Sequence, residues 1–265
     1  MSQVPEDLRA FALSLAEAAR GETLPRFQSG CGADNKNEGG AWDPVTDADR
    51  EGELAIRGLI ERHFPEHGIS GEEFGVREGS SRWSWSLDPV DGTRAFVFGL
   101  PSWTTLIALL EEERPALGIV DAAALSELYI GDEDGAFLVR AGAAPKGIAV
   151  SGCAELGEAR LTTTDHGLFD PAGAAAFAEV AARCRLVRYG LDAYGYARLA
   201  AGTIDLVIES GLKPHDYNAL IPLVRGAGGV ISDWRGGQDY EGGKVVAAAS
   251  EALFDAALAL LGPAA

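Results

Sequence analysis

The chain has 265 residues, of which 47% are hydrophobic, and its mean hydropathy is +0.02. No apolar run reaches the ~18 residues that a membrane-spanning helix needs, and the first ten residues lack the order of a signal peptide, so we expect a cytoplasmic protein. The 22 Lys and Arg residues against 40 Asp and Glu residues give a formal net charge of −18. Nucleic acid and anionic membranes are bound mainly through Lys and Arg, so neither is an expected partner, whereas divalent cations suit an acidic chain. The three cysteines are odd in number and far apart, which indicates neither a disulfide framework nor a zinc site.

Two helices are predicted near the beginning of the chain. Apolar residues at helical spacing predict the first over residues 5–20, and Gly21 is expected to end it. Thr46 and Asp49 have the spacing of a capping box, in which each side chain accepts a hydrogen bond from the backbone N–H of the other residue. The second helix is expected to begin there and to end at about Phe64, because a proline follows.

Strands dominate the middle of the chain and alternate with helices after it. Strands are predicted over 83–87, 104–110, 116–120, 128–130 and 136–139, a succession that favours an antiparallel or mixed sheet. Further strands over 160–164, 186–188, 206–209 and 245–249 alternate with helices over 171–184, 192–201, 216–227 and 251–261. The change of pattern predicts two lobes, an N-terminal α+β lobe over 1–145 and a C-terminal α/β lobe over 146–265.

The most informative motif follows the strand over 83–87, where Asp88 and Asp91 flank a proline and a valine. A turn of this kind points both acids at one place, and Mg²⁺ prefers carboxylate, carbonyl and water oxygens, so the carbonyl of Val90 is a further candidate ligand. Gly92 and Thr93 then open a short helix, whose N–H groups can hold a phosphate without Lys or Arg. The alternative is an ordinary turn, since Asp, Pro and Gly are common turn residues.

Three other acidic motifs are weaker individually. The first is Glu72 and Glu73 after a glycine, which surface solvation also explains, and the second spans residues 43–49, where a D-P-V string precedes the capping box. The third is Asp216, which follows Lys-Pro-His at the start of a predicted helix and could be only an N-cap.

In this order, the four motifs resemble those of the inositol monophosphatase superfamily of Mg²⁺-dependent phosphatases. The resemblance covers residues 6–250. The family's strand followed by D-P-[IVL]-D-G-[ST] matches 85–93, its D-x-V-T-x-x-D matches 43–49, its G-E-E matches 71–73, and its late acid with G-A-G-G matches 216–229. The resemblance implies a layered αβαβα sandwich and a homodimer.

The resemblance also assigns metal ligands. Glu72, Asp88 and the Val90 carbonyl look like ligands of a first Mg²⁺, and Asp88, Asp91 and Asp216 like ligands of a second. A third, weaker ion near Glu72 is implied on arrival of the substrate, which makes two to three ions in the site.

Catalytic and phosphate-binding roles follow from the same resemblance. The N–H groups of Gly92 and Thr93 would bind the phosphate, and Thr93 paired with Asp49 would help Glu72 to orient and deprotonate a metal-activated water. Phosphoryl transfer has a loose transition state, so positioning and charge stabilisation suffice and no side-chain nucleophile is needed.

Within the superfamily, the chain is most similar to the histidinol-phosphate phosphatases. Inositol-directed members continue the first signature with x-N-F after the threonine, whereas this chain has Arg94 followed by Ala-Phe, and G-L-D-A-Y-G-Y over 190–196 also fits the histidinol-phosphate group. Histidinol phosphate carries an ammonium group and an imidazole. Its pocket should offer carboxylates, for which Asp192 and Glu209 are the candidates, with Arg94 as a further substrate-binding residue.

Several alternatives remain at this point. Asp192 could instead be the N-cap of the helix over 192–201. Inositol 1-phosphate is the alternative substrate, bisphosphates come third, and a catalytically silent binding protein on the same fold is the alternative from another class. No metal acid of the family is missing, which favours an enzyme.

Overall fold

The computed structural model describes residues 3–29, 32–36 and 44–262. Its α-helices are α1 (Glu6–Arg26), α2 (Asp47–His63), α3 (Thr93–Val97), α4 (Pro171–Ala181), α5 (Asp192–Ala200), α6 (Pro214–Tyr217), α7 (Leu220–Gly226) and α8 (Glu251–Leu261). Its strands are β1 (Asp34–Asn35), β2 (Pro44–Val45), β3 (Gly68–Gly71), β4 (Gly75–Arg77), β5 (Trp83–Asp91), β6 (Thr104–Glu111), β7 (Arg114–Ala122), β8 (Glu127–Asp132), β9 (Gly135–Arg140), β10 (Lys146–Ile148), β11 (Arg160–Thr163), β12 (Leu186–Tyr189), β13 (Leu206–Glu209), β14 (Val230–Asp233) and β15 (Val245–Ala248).

Helices α1 and α2 form one outer layer. The predicted capping box of α2 is confirmed: the Thr46 hydroxyl accepts from the N–H of Ala48 at 3.1 Å, and a carboxylate oxygen of Asp49 accepts from the N–H of Thr46 at 2.8 Å. The predicted end of α1 at Gly21 is wrong. The buried face of α1 continues to Thr23, whose methyl group packs against Gly52 of α2. A Cβ at Gly52 would lie 3.2 Å from this methyl group. Contact between the two helices therefore outweighs the low helix propensity of a single glycine.

The larger sheet lies against this layer. It is eight-stranded in the order β10-β9-β8-β7-β6-β5-β3-β4. Strands β3 and β5 run parallel and the other neighbours antiparallel, so the sheet is mixed, as the succession of strands suggested. Its central strands are buried on both faces, because helices cover each side.

A middle layer of helices, α5 and α7, separates the larger sheet from the smaller one. The start of α7 lies unusually close to β7 of the larger sheet. A Cβ on Gly118 of β7 would lie 1.9 Å from the carbonyl oxygen of Ala219, the N-cap of α7. The smaller sheet has the order β12-β11-β13-β15-β14, and α4 and α8 pack on its outer face. The layers therefore form the αβαβα sandwich that the resemblance implied.

Sequence periodicity located most elements. Strands β1, β2, β3, β4, β10 and β14 were not predicted, and the helix predicted over 216–227 is two helices, α6 and α7. The division into two lobes at residue 145 stays a prediction. Strand β10, which begins at Lys146, pairs with β9 and so belongs to the larger sheet.

None of the helices in the described ranges combines the length and the apolar character needed to cross a membrane.

Candidate active site

A β-bulge in β5 brings two of the predicted metal ligands together. Asp88 pairs with Leu106 of β6 and Asp91 with Thr104, so three steps along β5 oppose two along β6. In a regular strand, side chains three residues apart point to opposite faces, and the extra residue of a bulge returns them to the same face. Asp88 and Asp91 therefore point in the same direction. The alternative of an ordinary turn is wrong, because the strand continues through this segment.

Asp216 completes a cluster of three acids. Among the described residues, Asp88, Asp91 and Asp216 each offer a carboxylate oxygen, and these atoms lie within 4.8 Å of one another. Asp216 lies in α6, where one of its oxygens accepts from the N–H of Lys213 at 2.6 Å. The N-cap is Lys213, so the interpretation of Asp216 as the N-cap is wrong; Asp216 is the third helical residue and also faces the other two acids.

The electrostatics of this cluster are unfavourable without a cation. Burial raises the pKa of Asp88 well above its usual range, and the negative charges of Glu72, Asp91 and Asp216 raise it further. The pKa of Asp91 is raised in the same way, first by burial and then by neighbouring acids. Like charges that are buried together oppose ionisation, and a bound cation removes that cost. The donors are hard oxygens, so the cluster fits a divalent cation such as Mg²⁺.

Glu72 lies beside the cluster and is held by a lysine. Lys36 donates to Glu72 at 2.8 Å and also contacts Glu73. Burial by itself would raise the pKa of Glu72, but the charge and hydrogen bond of Lys36, together with the charges of His215 and Lys213, lower this pKa. Glu72 is therefore anionic, and its charge is among those that act on Asp88. Asp43, the first residue of the predicted 43–49 motif, lies outside the described residues.

Glu53, which was missed in the sequence, anchors the turn that carries Glu72. This residue of α2 is fully buried, and its carboxylate accepts from the N–H of Glu73 at 2.8 Å and from that of Phe74 at 3.2 Å. Arg57, one turn further along α2, donates to the same carboxylate at 2.6 Å. A Cβ on Gly71 would lie 2.0 Å from a carboxylate oxygen of Glu53, so only glycine fits there. The signal in the sequence was a Glu-Arg pair at i, i+4, four residues after Asp49, on a helix face that is otherwise apolar.

We expect Glu53→Gln to weaken metal binding about 10-fold or more, the range found when residues that orient metal ligands are changed. The amide has one acceptor oxygen, so one backbone N–H of the turn loses its partner. Calorimetric titration with Mg²⁺ measures the effect directly. Glu61→Gln is the matched control, because Glu61 lies on the same helix but is half-exposed and 3.7 Å from Arg77. Equal affinities for the two variants would contradict the anchoring role.

Thr93 and Asp49 meet beside the bulge. The Thr93 hydroxyl lies 3.0 Å from the carbonyl oxygen of Val90 and 3.4 Å from a carboxylate oxygen of Asp49, and it can donate to either. Burial raises the pKa of Asp49 to about 6. The Val90 carbonyl, expected to be free for a metal, accepts this hydrogen bond, although a carbonyl oxygen has a second lone pair. Gly92, at the N-cap of α3, has a φ of +77°, which favours glycine.

A cleft of about 210 Å³ opens beside these residues and contains all three predicted substrate-binding residues. Asp192 lies against Gly92, since a Cβ there would be 3.1 Å from its carboxylate. Arg94 is half-exposed and forms an ion pair with Asp165 at 3.2 Å. Burial raises the pKa of Asp192 to about 6, while the charge of Arg94 opposes this rise.

The N-cap interpretation of Asp192 is wrong. The N-cap position is taken by Leu191, and Asp192 is the first residue of α5, with a left-handed φ of +49°. The cap comes instead from β5 of the larger sheet, because Asp91 accepts from the N–H of Ala193 at 2.8 Å. The carboxylate of Asp192 is therefore left to face the cleft.

Glu209 lies at the end of β13 in the cleft wall. Its carboxylate accepts from the N–H and the hydroxyl of Thr164 at 2.8 and 2.9 Å, and from the hydroxyl of Thr163 at 3.2 Å. Burial raises its pKa to about 8, against the opposing effect of these hydrogen bonds. The cleft therefore combines two acids of the cluster, a helix N-terminus and the further carboxyl groups of Asp192 and Glu209.

Residues 4–262 match the model of the inositol monophosphatase family. The chain belongs to this family. It is therefore a phosphomonoester hydrolase, which agrees with the acid cluster and the helix N-terminus beside it.

Relatives within the family carry several names. The chain is 44% identical over 195 residues to the chloroplastic bifunctional phosphatase IMPL2 of Arabidopsis thaliana, a match that covers 73% of this chain and 55% of the plant protein. It is 36% identical to a histidinol-phosphatase of Mycobacterium tuberculosis, with 89% of this chain and 91% of that protein covered. A solved structure of an inositol monophosphatase from Zymomonas mobilis superposes with a TM-score of 0.86 at 37% identity, covering 98% of this chain and all of the other.

Proposed function

We propose that this phosphatase is Mg²⁺-dependent and hydrolyses histidinol phosphate by direct attack of water. The observation that carries the metal dependence is the cluster of Asp88, Asp91 and Asp216, whose carboxylate oxygens lie within 4.8 Å of one another and whose like charges a cation would compensate. The cluster, Glu72 and the Val90 carbonyl would hold two to three ions. Bound divalent cations would neutralise these acids, lower the pKa of water and stabilise the charge that develops on the phosphoryl group.

The chain's own residues position the reactants. The N–H groups of Gly92 and Thr93 belong to the first turn of α3 and have no partner within that helix, so they are available to phosphate oxygens. The Thr93 hydroxyl, between Val90 and Asp49, can orient the attacking water, and anionic Glu72 can accept its proton. The water then displaces the alcohol from phosphorus, and no phosphorylated side chain is formed.

The acids in the cleft favour a phosphate ester whose alcohol part carries a positive charge. Asp192 and Glu209 line the same cleft as Gly92 and Thr93 and are hydrogen-bond acceptors when ionised. An ammonium group beside them would favour their ionised forms and lower both raised pKa values, whereas a neutral polyol would not. The name of the mycobacterial relative points to the same substrate. Inositol 1-phosphate is the second candidate, which the name of the Zymomonas mobilis structure favours.

A substrate panel with and without Mg²⁺ tests the proposal. The panel contains histidinol phosphate, inositol 1-phosphate, fructose 1,6-bisphosphate and adenosine 3′,5′-bisphosphate, and kcat/KM is measured for each. We expect the highest value for histidinol phosphate. A higher value for inositol 1-phosphate would replace the proposed substrate, and no turnover of any ester would favour a binding protein on this fold.

We expect Asp192→Asn to raise KM for histidinol phosphate about 10-fold, as for the loss of one charge-assisted hydrogen bond. KM for β-glycerophosphate, which has no ammonium group, should change far less. The matched control is Glu158→Gln, which removes the same charge from an exposed residue outside the cleft. Equal effects of Asp192→Asn on both esters would refute a contact with the ammonium group.

A homodimer, a cytoplasmic location and the absence of nucleic-acid and membrane partners remain predictions from the sequence. Light scattering at micromolar concentration tests the homodimer.

A further inference from the structure

A short 3₁₀ turn, His166–Leu168, follows β11, and its last residue lies in the wall of the cleft. The side chain of Leu168 is 45% exposed, more than any other large apolar side chain that lines the cleft in the described part of the chain. Exposed leucines are common on protein surfaces, but this one lies in the same cleft as Gly92 and Thr93. The mechanism above assigns it no part.

The turn is held on both sides. Before it, one carboxylate oxygen of Asp165 accepts from the N–H of Gly167 at 2.8 Å, and the other forms the ion pair with Arg94 of α3 at 3.2 Å. After it, the ring of Phe169 is buried in the core of the smaller sheet, where it stacks on a phenylalanine of α4 with 5.1 Å between the ring centroids. Since Phe169 is the residue of this segment that enters the core, Leu168 stays outside it and faces the cleft.

The exposed side chain of Leu168 suits an uncharged ring. Apolar surface that faces water is stabilised when another apolar group covers it. In the proposed substrate, Asp192 and Glu209 match the ammonium group, whereas the imidazole ring is mostly uncharged at about pH 8. Both ring nitrogens direct their proton or lone pair into the plane of the ring, so an apolar side chain can pack on a face of the ring while the nitrogens stay hydrogen-bonded to water.

We propose that Leu168 is a specificity-determining residue whose side chain packs on the ring of the substrate's alcohol part, which is the imidazole in histidinol phosphate. This contact rests on the proposed function and adds to it. The acids of the cleft select the ammonium group, and Leu168 selects the ring attached beside it. An ester with the phosphate and the ammonium group but without the ring should therefore be a poorer substrate.

The test compares histidinol phosphate with phosphoethanolamine, which has the same phosphate and ammonium groups and lacks only the imidazolylmethyl group. In Leu168→Ala, the ratio of the two kcat/KM values should fall about 5-fold, because the ring would cover about half of the apolar area of a leucine side chain. Leu168→Met keeps a large apolar side chain and should keep the ratio. Asp192→Asn should weaken both esters alike, because both carry the ammonium group.

Leu125→Ala is the matched control, because Leu125 is 37% exposed and lies outside the cleft. It should leave the ratio as in the wild type, and melting temperatures check that both alanine variants are folded. An unchanged ratio in Leu168→Ala, or an equal loss on both esters, overturns the assignment.

A failure of the proposed substrate gives a different result. If the wild type prefers inositol 1-phosphate, the comparison uses that ester and 2-hydroxyethyl phosphate, which keeps the phosphate and one neighbouring hydroxyl but has no ring. A lower ratio in Leu168→Ala then supports packing on the ring of inositol, and an unchanged ratio still overturns the role of Leu168.

Discussion

Asp88→Asn is expected to abolish turnover and to remove the response of the protein to Mg²⁺. Asp88 is buried at the bulge of β5, where the charges of Glu72, Asp91 and Asp216 act on it. An asparagine at this position retains an oxygen that can accept the 3.0 Å hydrogen bond from the N–H of Val90, so the bulge should persist. What is lost is one negative charge and one proposed metal ligand.

The stability of the variant distinguishes loss of a ligand from loss of the fold. Without metal, Asp88→Asn should melt no lower than the wild type, because removing one of several buried like charges relieves their repulsion. The wild type should melt higher as Mg²⁺ is added, since a ligand that binds only the folded state stabilises it, and the variant should respond much less. Differential scanning fluorimetry with a Mg²⁺ series measures both effects.

The control for Asp88→Asn is Asp121→Asn. Asp121 is a buried residue near the end of β7, and the change breaks its ion pair with Arg20 of α1. That variant should melt lower and keep its response to Mg²⁺. In the wild type, chelation should stop turnover and added Mg²⁺ should restore it. Full phosphatase activity in excess chelator after exhaustive dialysis would contradict a metal mechanism.

The second large effect is expected for Thr93→Ala and Glu72→Gln, each of which should lower kcat by about 10²-fold or more, the usual contribution of a group that moves or orients a proton. Both side chains are expected to act on the attacking water, and neither contributes to the hydrophobic core. Assays at saturating Mg²⁺ are required, because Glu72→Gln also removes a candidate metal ligand.

The conservative change Thr93→Ser tests the role of the hydroxyl. Serine keeps the oxygen that lies 3.0 Å from Val90 and 3.4 Å from Asp49, so most of the activity lost in Thr93→Ala should return. Asp49 is a poorer probe, because the same carboxylate caps α2 through Thr46. A phosphorylated side chain trapped during turnover would contradict direct attack by water.

Local sequence was sufficient for the features that depend on neighbours in the chain. The capping box of Thr46 and Asp49, the end of α2 before a proline and the longer strands of both sheets depend on residues a few positions apart, so their patterns predict them. The order of the four acidic motifs also indicated the family, which the match over residues 4–262 confirms, because each motif is a short string that can be read from the sequence directly.

The tertiary structure decided what depends on contacts between distant residues. Gly21 does not end α1, because Thr23 packs on Gly52 of another helix. Asp192 does not cap α5, because the N–H of Ala193 already donates to Asp91. Asp91 lies 102 residues before Ala193 in the chain.

The same limit explains why the role of Glu53 was not predicted. Its spacing to Arg57 is visible in the sequence, but a Glu-Arg pair at i, i+4 is common on helices. Its environment comes from the Gly71–Phe74 turn, which the fold brings to α2 from another part of the chain. Residue types and spacings determine local backbone conformation and the family, but burial and hydrogen-bond partners arise only when the layers pack, and they set the chemistry of each side chain.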